Sequence, residues 1–204
     1  MTAPAERGQE LSAEHPSTIT VKLADADATR GYGRALAAVL RAGDLVVLTG
    51  DLGAGKTTLT QGIGAGLGVR GQVASPTFVI ARVHPPLPQD ASSPGPAGAA
   101  STSDGRQGPA LVHVDAYRLG SLDEVEALDL DTSLEDSVTV VEWGEGLVES
   151  LAEDRLEISI HRPRGGALVE AGGADAPEED LAGGTRTVTV RPVGARWAGV
   201  RLPS

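Results

Sequence analysis

Gly50-Asp-Leu-Gly-Ala-Gly55-Lys56-Thr57 is the stretch whose reading decides the fold. It matches G-x-x-x-x-G-K-[ST], the phosphate-loop pattern, in which glycines let the backbone aim successive N–H groups inward and a helix starts at the lysine. The flanks supply the required context. Asp44-Leu-Val-Val-Leu-Thr49, immediately before, is a short apolar run of the kind covered on both faces of a parallel sheet. Helix formers resume after Lys56 and run to about Leu67, where Gly66-Leu-Gly68 provides a stop. A tight turn opening a helix is the alternative, but it does not call for this strand, glycine loop and helix in order.

The chemistry of that unit is anion binding. The helix N-terminus carries partial positive charge where phosphate oxygens would sit, and Lys56 would neutralise the outer phosphates. Residues Gly50, Asp51, Leu52, Gly53, Ala54, Gly55, Lys56, Thr57 and Thr58 are therefore the expected nucleotide cradle. The Thr57 hydroxyl is a hard oxygen ligand suited to magnesium, whose usual companion is a carboxylate at a strand end. Two carboxylates stand there. Asp115 follows Leu111-Val-His-Val114 and Glu142 follows Val138-Thr-Val-Val141, and strand C-termini line the ligand crevice in parallel sheets. Asp115 could instead cap a helix or pair with Arg118, and Glu142 could be a solvated strand end. His113 reads as a core or sheet histidine at least as well as a base, and receives no catalytic role. Trp143 beside a buried strand reads as packing more readily than as a base-stacking ring.

Outward from the loop, Ile19-Thr-Val-Lys-Leu23 alternates as a half-buried strand, and residues 28–40 are rich in helix formers. Further strands are expected at 79–83, 111–115, 138–141, 155–160 and 186–193, with a short helix from Ser121-Leu-Asp-Glu124 through Leu128. Residues 1–17 form a lead-in without periodicity, expected to be disordered. Residues 85–109 and 163–184 are rich in Pro, Ser, Gly and Ala or in acidic residues, and are expected to be flexible insertions in a domain spanning 18–204. Strands interleaved with helices define the α/β class: one P-loop NTPase-like domain, a mostly parallel sheet flanked by helices.

Composition narrows the function. A chain of 204 residues carries one domain and one active site. Its net charge of -11 opposes direct binding of nucleic acid or anionic lipid. Without cysteine it has neither disulfides nor thiolate chemistry. No run of 18 apolar residues and no signal-like N-terminus is present, so a cytoplasmic protein without membrane association is expected.

Four blocks in order, Gly50-Asp-Leu-Gly-Ala-Gly-Lys-Thr-Thr58, Ser75-Pro-Thr-Phe78, His113-Val-Asp-Ala-Tyr-Arg-Leu119 and Val141-Glu-Trp143, resemble the TsaE (YjeE) family. The resemblance covers roughly residues 20–160. It implies an ATPase of tRNA threonylcarbamoyladenosine biosynthesis that binds ATP with Mg2+ and acts with the TsaB and TsaD proteins. It further implies that residues 50–56 cradle the phosphates and Thr57 ligates magnesium, with Asp115 in the Walker B-like role and Glu142 as a second metal-site carboxylate. Lys56, Asp115 and Glu142 are thus the expected catalytic set, and Ser75-Pro76-Thr77 corresponds to the family's switch segment. Departures are the two long insertions and Ala116, where leucine is common in the family. Asp27 and Arg186 align only weakly with the family's adenine contacts and stay outside the expected site.

Two other classes compete. A nucleotide-gated binding module would hydrolyse only incidentally, and a small-molecule P-loop kinase would carry an arginine-rich lid, whereas residues 85–109 contain just Arg106. A GTPase would carry N-K-x-D, and this chain contains no asparagine.

Overall fold

The computed structural model describes residues 17–76, 80–88, 108–121, 124, 134–163 and 184–204. The lead-in through residue 16, most of the helix expected from Ser121, most of both insertions, and Thr77 with Phe78 lie outside the described residues.

Among the described residues, seven strands form one sheet in the order β1-β7-β6-β2-β5-β4-β3, with β1 at Ile19–Leu23, β2 at Leu45–Thr49, β3 at Ala81–His84, β4 at Ala110–Asp115, β5 at Ser137–Glu142, β6 at Arg155–His161 and β7 at Arg186–Val193. The four central strands β6, β2, β5 and β4 run parallel. Antiparallel pairings add β7 and β1 on one side and β3 on the other. The burial pattern explains that division: Leu45 to Leu48 of β2 and all of β5, its polar Ser137, Thr139 and Glu142 included, are buried on both faces, as central parallel strands are. β7 alternates, burying every second residue, and β1 alternates half-buried with exposed residues up to the buried Leu23, as strands nearer an edge can. Of the strand expected at 79–83, Val79 lies outside the described residues; β3 starts at Ala81, directly after Ile80, whose left-handed φ of 70° and N–H donated to Pro76 mark a turn.

Two α-helices are described, α1 at Ala26–Ala37 and α2 at Lys56–Leu67. Asp25 starts α1 by accepting the Ala28 N–H at 2.8 Å, a side-chain cap that sets the helix two residues before the expected 28. Gly68, at φ +68°, ends α2 with its N–H turned back on the last turn. Leu36 from α1 and Leu59 and Ile63 from α2 share one core with Val46, Leu48, Val138 and Val140. Both helices therefore cover the same sheet face. On the other face, Leu45, Val47, Val112, Val114 and Val141 pack under Val148, Leu147 and the 3-10 turn Glu149–Leu151. The helices approach closely through glycine: a Cβ on Gly62 would lie 2.3 Å from the Arg30 carbonyl oxygen. No described helix is long and apolar enough to cross a membrane.

Candidate nucleotide site

The loop between β2 and α2 sits at the C-terminal edge of the parallel strands, where β4 and β5 end in Asp115 and Glu142 as register partners on adjacent strands. Gly50 leaves β2 at φ +144°, so close to β6 that a Cβ would meet the Ile160 carbonyl oxygen at 2.3 Å. Gly55 precedes α2 at φ +116°, a left-handed value that a side chain would strain. These two glycines shape the loop.

A cavity of about 570 Å³ opens over it. Leu52, Gly53, Gly55, Lys56, Thr57 and Thr58 form its floor, and Asp115, Glu142 and Trp143 form one wall. Of the expected cradle, Gly50, Asp51 and Ala54 do not line the cavity. The Gly50 and Asp51 carbonyls accept the Lys56 ammonium at 2.7 and 3.0 Å, while the Ala54 side chain is buried in the core. Lys56 Nζ also lies 3.6 Å from the centre of the Trp143 ring. Burial pulls the lysine below its ordinary range, and the carboxylates of Glu142, Asp115 and Asp51 pull it back up.

Thr57 donates its hydroxyl hydrogen to Glu142, with Oγ1 at 2.9 Å from Oε1 and 3.1 Å from Oε2. His113 Nε2 lies 2.8 Å from the same Oε1. Glu142 is 3% exposed, so the solvated strand end considered from sequence does not hold. Asp115 is held differently. Its Oδ2 accepts the Ser75 hydroxyl at 2.9 Å and its Oδ1 caps the following 3-10 turn at the Tyr117 N–H, so the capping geometry considered from sequence is present. The Asp115 N–H donates to the Ile80 carbonyl, which ties the segment after Ser75 and Pro76 to the end of β4.

Trp143 follows Glu142 at φ 62° and donates its N–H to Leu48, a left-handed turn that swings the ring off the strand and over Lys56. Tyr117 packs on it with ring centres 5.3 Å apart. The opposite wall holds Ala26, Arg30 and Arg186. Sequence reading set Arg186 aside, yet it lines the cavity, almost wholly buried, donating to the Gly184 carbonyl. Burial first, and then the neighbouring Arg162, lower its proton affinity. Asp27 does not line the cavity; it is exposed and paired with Arg30. A signal for Arg186 existed in the sequence, a cation opening the strand in phase with its inward-facing Val188 and Val190, but only the sheet order brings it beside Gly55.

Among the described residues no group of three or more His, Cys, Asp or Glu is arranged to hold a metal. The oxygen donors beside the loop include the Thr57 hydroxyl and the Asp115 and Glu142 carboxylates. Such a hard, oxygen-only and incomplete set matches magnesium, which keeps waters and shares phosphate oxygens, better than it matches a cation needing a full protein cage.

A central parallel sheet, a glycine loop entering α2 and carboxylates at neighbouring strand ends define a P-loop NTPase-like domain. The family model described as "Threonylcarbamoyl adenosine biosynthesis protein TsaE" matches residues 23–167. A tRNA threonylcarbamoyladenosine biosynthesis protein TsaE from Streptomyces coelicolor is 56% identical over 170 residues, 83% of this chain and 93% of that protein. One from Bacillus subtilis is 37% identical over 135 residues, 66% of this chain and 72% of the other. The crystal structure of Bacillus subtilis YdiB superposes with a TM-score of 0.55 at 28% identity, covering 89% of each chain. The chain belongs to the TsaE family.

Proposed function

We propose that this protein is a magnesium-dependent ATPase that supports threonylcarbamoyl transfer to adenosine in tRNA, acting in the cytoplasm with a TsaB–TsaD complex. Family membership supports the pathway. The observation that carries the ATPase reading is the meeting of Lys56, the Thr57 hydroxyl and the buried Glu142 carboxylate over the phosphate loop.

The loop N–H groups and Lys56 bind the phosphates of ATP, and Lys56 exchanges the Gly50 and Asp51 carbonyls for phosphate oxygens. Thr57, Glu142 and Asp115 are the residues that would hold magnesium, which supplies charge neutralisation across the outer phosphates when bound. Glu142 is the carboxylate bonded to Thr57, so it takes the nearer metal-side role, and Asp115 couples the site to Ser75 in the switch segment. Positioning and electrostatics then supply most of the rate, as in other phosphoryl transfers. With a chain charge of -11, the tRNA is held by the partners rather than by this protein.

The test is phosphate release from ATP with magnesium by the chain alone and with TsaB and TsaD added. Partner-stimulated turnover, lost in Lys56→Ala and in Glu142→Ala, is expected. Turnover indifferent to the partners but accelerated by a small acceptor would replace this reading with a kinase. Tight binding without turnover in any mixture would make the chain a nucleotide-gated module.

A further inference from the structure

We infer that His113 is a positioning residue for Glu142, its Nε2–H fixing the carboxylate against Thr57. The inference rests on the metal-site reading above and adds to it a residue that touches neither nucleotide nor metal.

The ring is fully buried, and its only hydrogen-bond partner among the described residues is a cavity carboxylate at 2.8 Å. Register explains the reach. His113 stands opposite Val140, so Glu142 is its diagonal neighbour on the next strand, within range of long side chains. A carboxylate can only accept, which places the ring proton on Nε2. The other nitrogen, Nδ1, is buried without a partner among the described residues. A proton there would be an orphaned buried donor, which is costly, so one tautomer is selected.

Glu142 needs a second fixed donor. Thr57 touches both carboxylate oxygens, and a contact from that single hydroxyl leaves the group free to pivot about it. His113 approaches Oε1 from β4, whereas Thr57 approaches from α2, so the carboxylate is clamped between two separate elements. When the Thr57 oxygen turns its lone pair to a metal, the histidine keeps the carboxylate where it is. Partners of this kind tune metal affinity through the ligand they orient.

The test pairs two polar replacements in the full chain. In His113→Gln the amide nitrogen reaches the position of Nε2; in His113→Asn it stops near Nδ1 and cannot reach Glu142. Affinity for the non-hydrolysable analogue AMP-PNP is measured by calorimetry with magnesium and again with EDTA. The asparagine variant is expected to lose roughly 10–100-fold of the magnesium-dependent gain, with affinity in EDTA unchanged, and the glutamine variant to keep most of it. A wild-type gain in the asparagine variant, or equal losses in both, overturns the inference alone. Imidazole nitrogen shifts placing the proton on Nδ1 also overturn it. Should the wild type itself show no magnesium-dependent gain, the metal-site reading falls and this inference falls with it.

Discussion

Replacing Gly62 with alanine tests whether the close crossing of α1 and α2 is what sets the width of the nucleotide cavity. An added Cβ would lie 2.3 Å from the Arg30 carbonyl oxygen and 2.9 Å from Gly33 Cα. Both are backbone atoms, so no side chain can rotate away and the helices must part. Overpacking of this kind costs about 3 kcal/mol at the upper end. Alanine recovers about 1 kcal/mol through helix propensity, which leaves a net loss of about 2 kcal/mol. For a domain of this size that lowers the melting temperature by roughly 4–8 °C. Gly31→Ala, also on α1, is the control, because its Cβ would meet nothing within 4 Å. It should raise the melting temperature by roughly 2–4 °C. Thermal unfolding of the three proteins, followed by circular dichroism, separates the effects. AMP-PNP affinity should fall in Gly62→Ala, since α1 carries Arg30 and α2 carries Lys56 and Thr57. A Gly62→Ala protein that melts at or above the wild type would refute the argument that this contact is tight.

Three further outcomes are expected. Burial lowers the proton affinity of Lys56, and a bound phosphate would favour its charged form; AMP-PNP binding should therefore take up protons and weaken as pH climbs towards the ordinary lysine value of about 10.4. In the unliganded protein the sign reverses: the charged lysine costs stability below its lowered pKa, and that cost is relieved as pH rises, which calorimetry in buffers of different ionisation enthalpy can resolve. Burial pushes the Tyr32 hydroxyl up to about 12, and that hydroxyl donates to the Pro203 carbonyl at 3.0 Å. Its contribution is thus whole below about 10, is lost as pH rises through about 12, and should disappear from the alkaline unfolding profile of Tyr32→Phe. Asp44 accepts from Arg196 at 3.1 and 3.0 Å in a largely buried pair, so Asp44→Ala strands the guanidinium and should cost about 3–5 kcal/mol in urea unfolding, while Asp44→Asn should cost less.

Much of this protein was readable along the chain because the relevant physics is local. A phosphate loop needs glycines at left-handed positions, an apolar strand before it and a helix after it, all within about two dozen residues, and the run from Asp44 to Leu67 carries each of these in order. The strand ends at Asp115 and Glu142 were legible for the same reason, as acidic residues terminating apolar runs. What the tertiary structure alone decided are the pairings across strands. Thr57 and Glu142 are 85 positions apart, and no local preference says that β5 lies beside β2 or that Glu142 stops level with Asp115. His113 looked like a core histidine because its alternation on β4 says only which face it occupies; the neighbouring strand's register determines whose carboxylate it meets. Arg186 joins the cavity because β7 packs antiparallel on β6 and brings its first residue back to Gly55. Strand order and register follow from covering both sheet faces at once, a global condition on the whole chain, whereas turns, caps and periodicity are settled by each residue and its near neighbours.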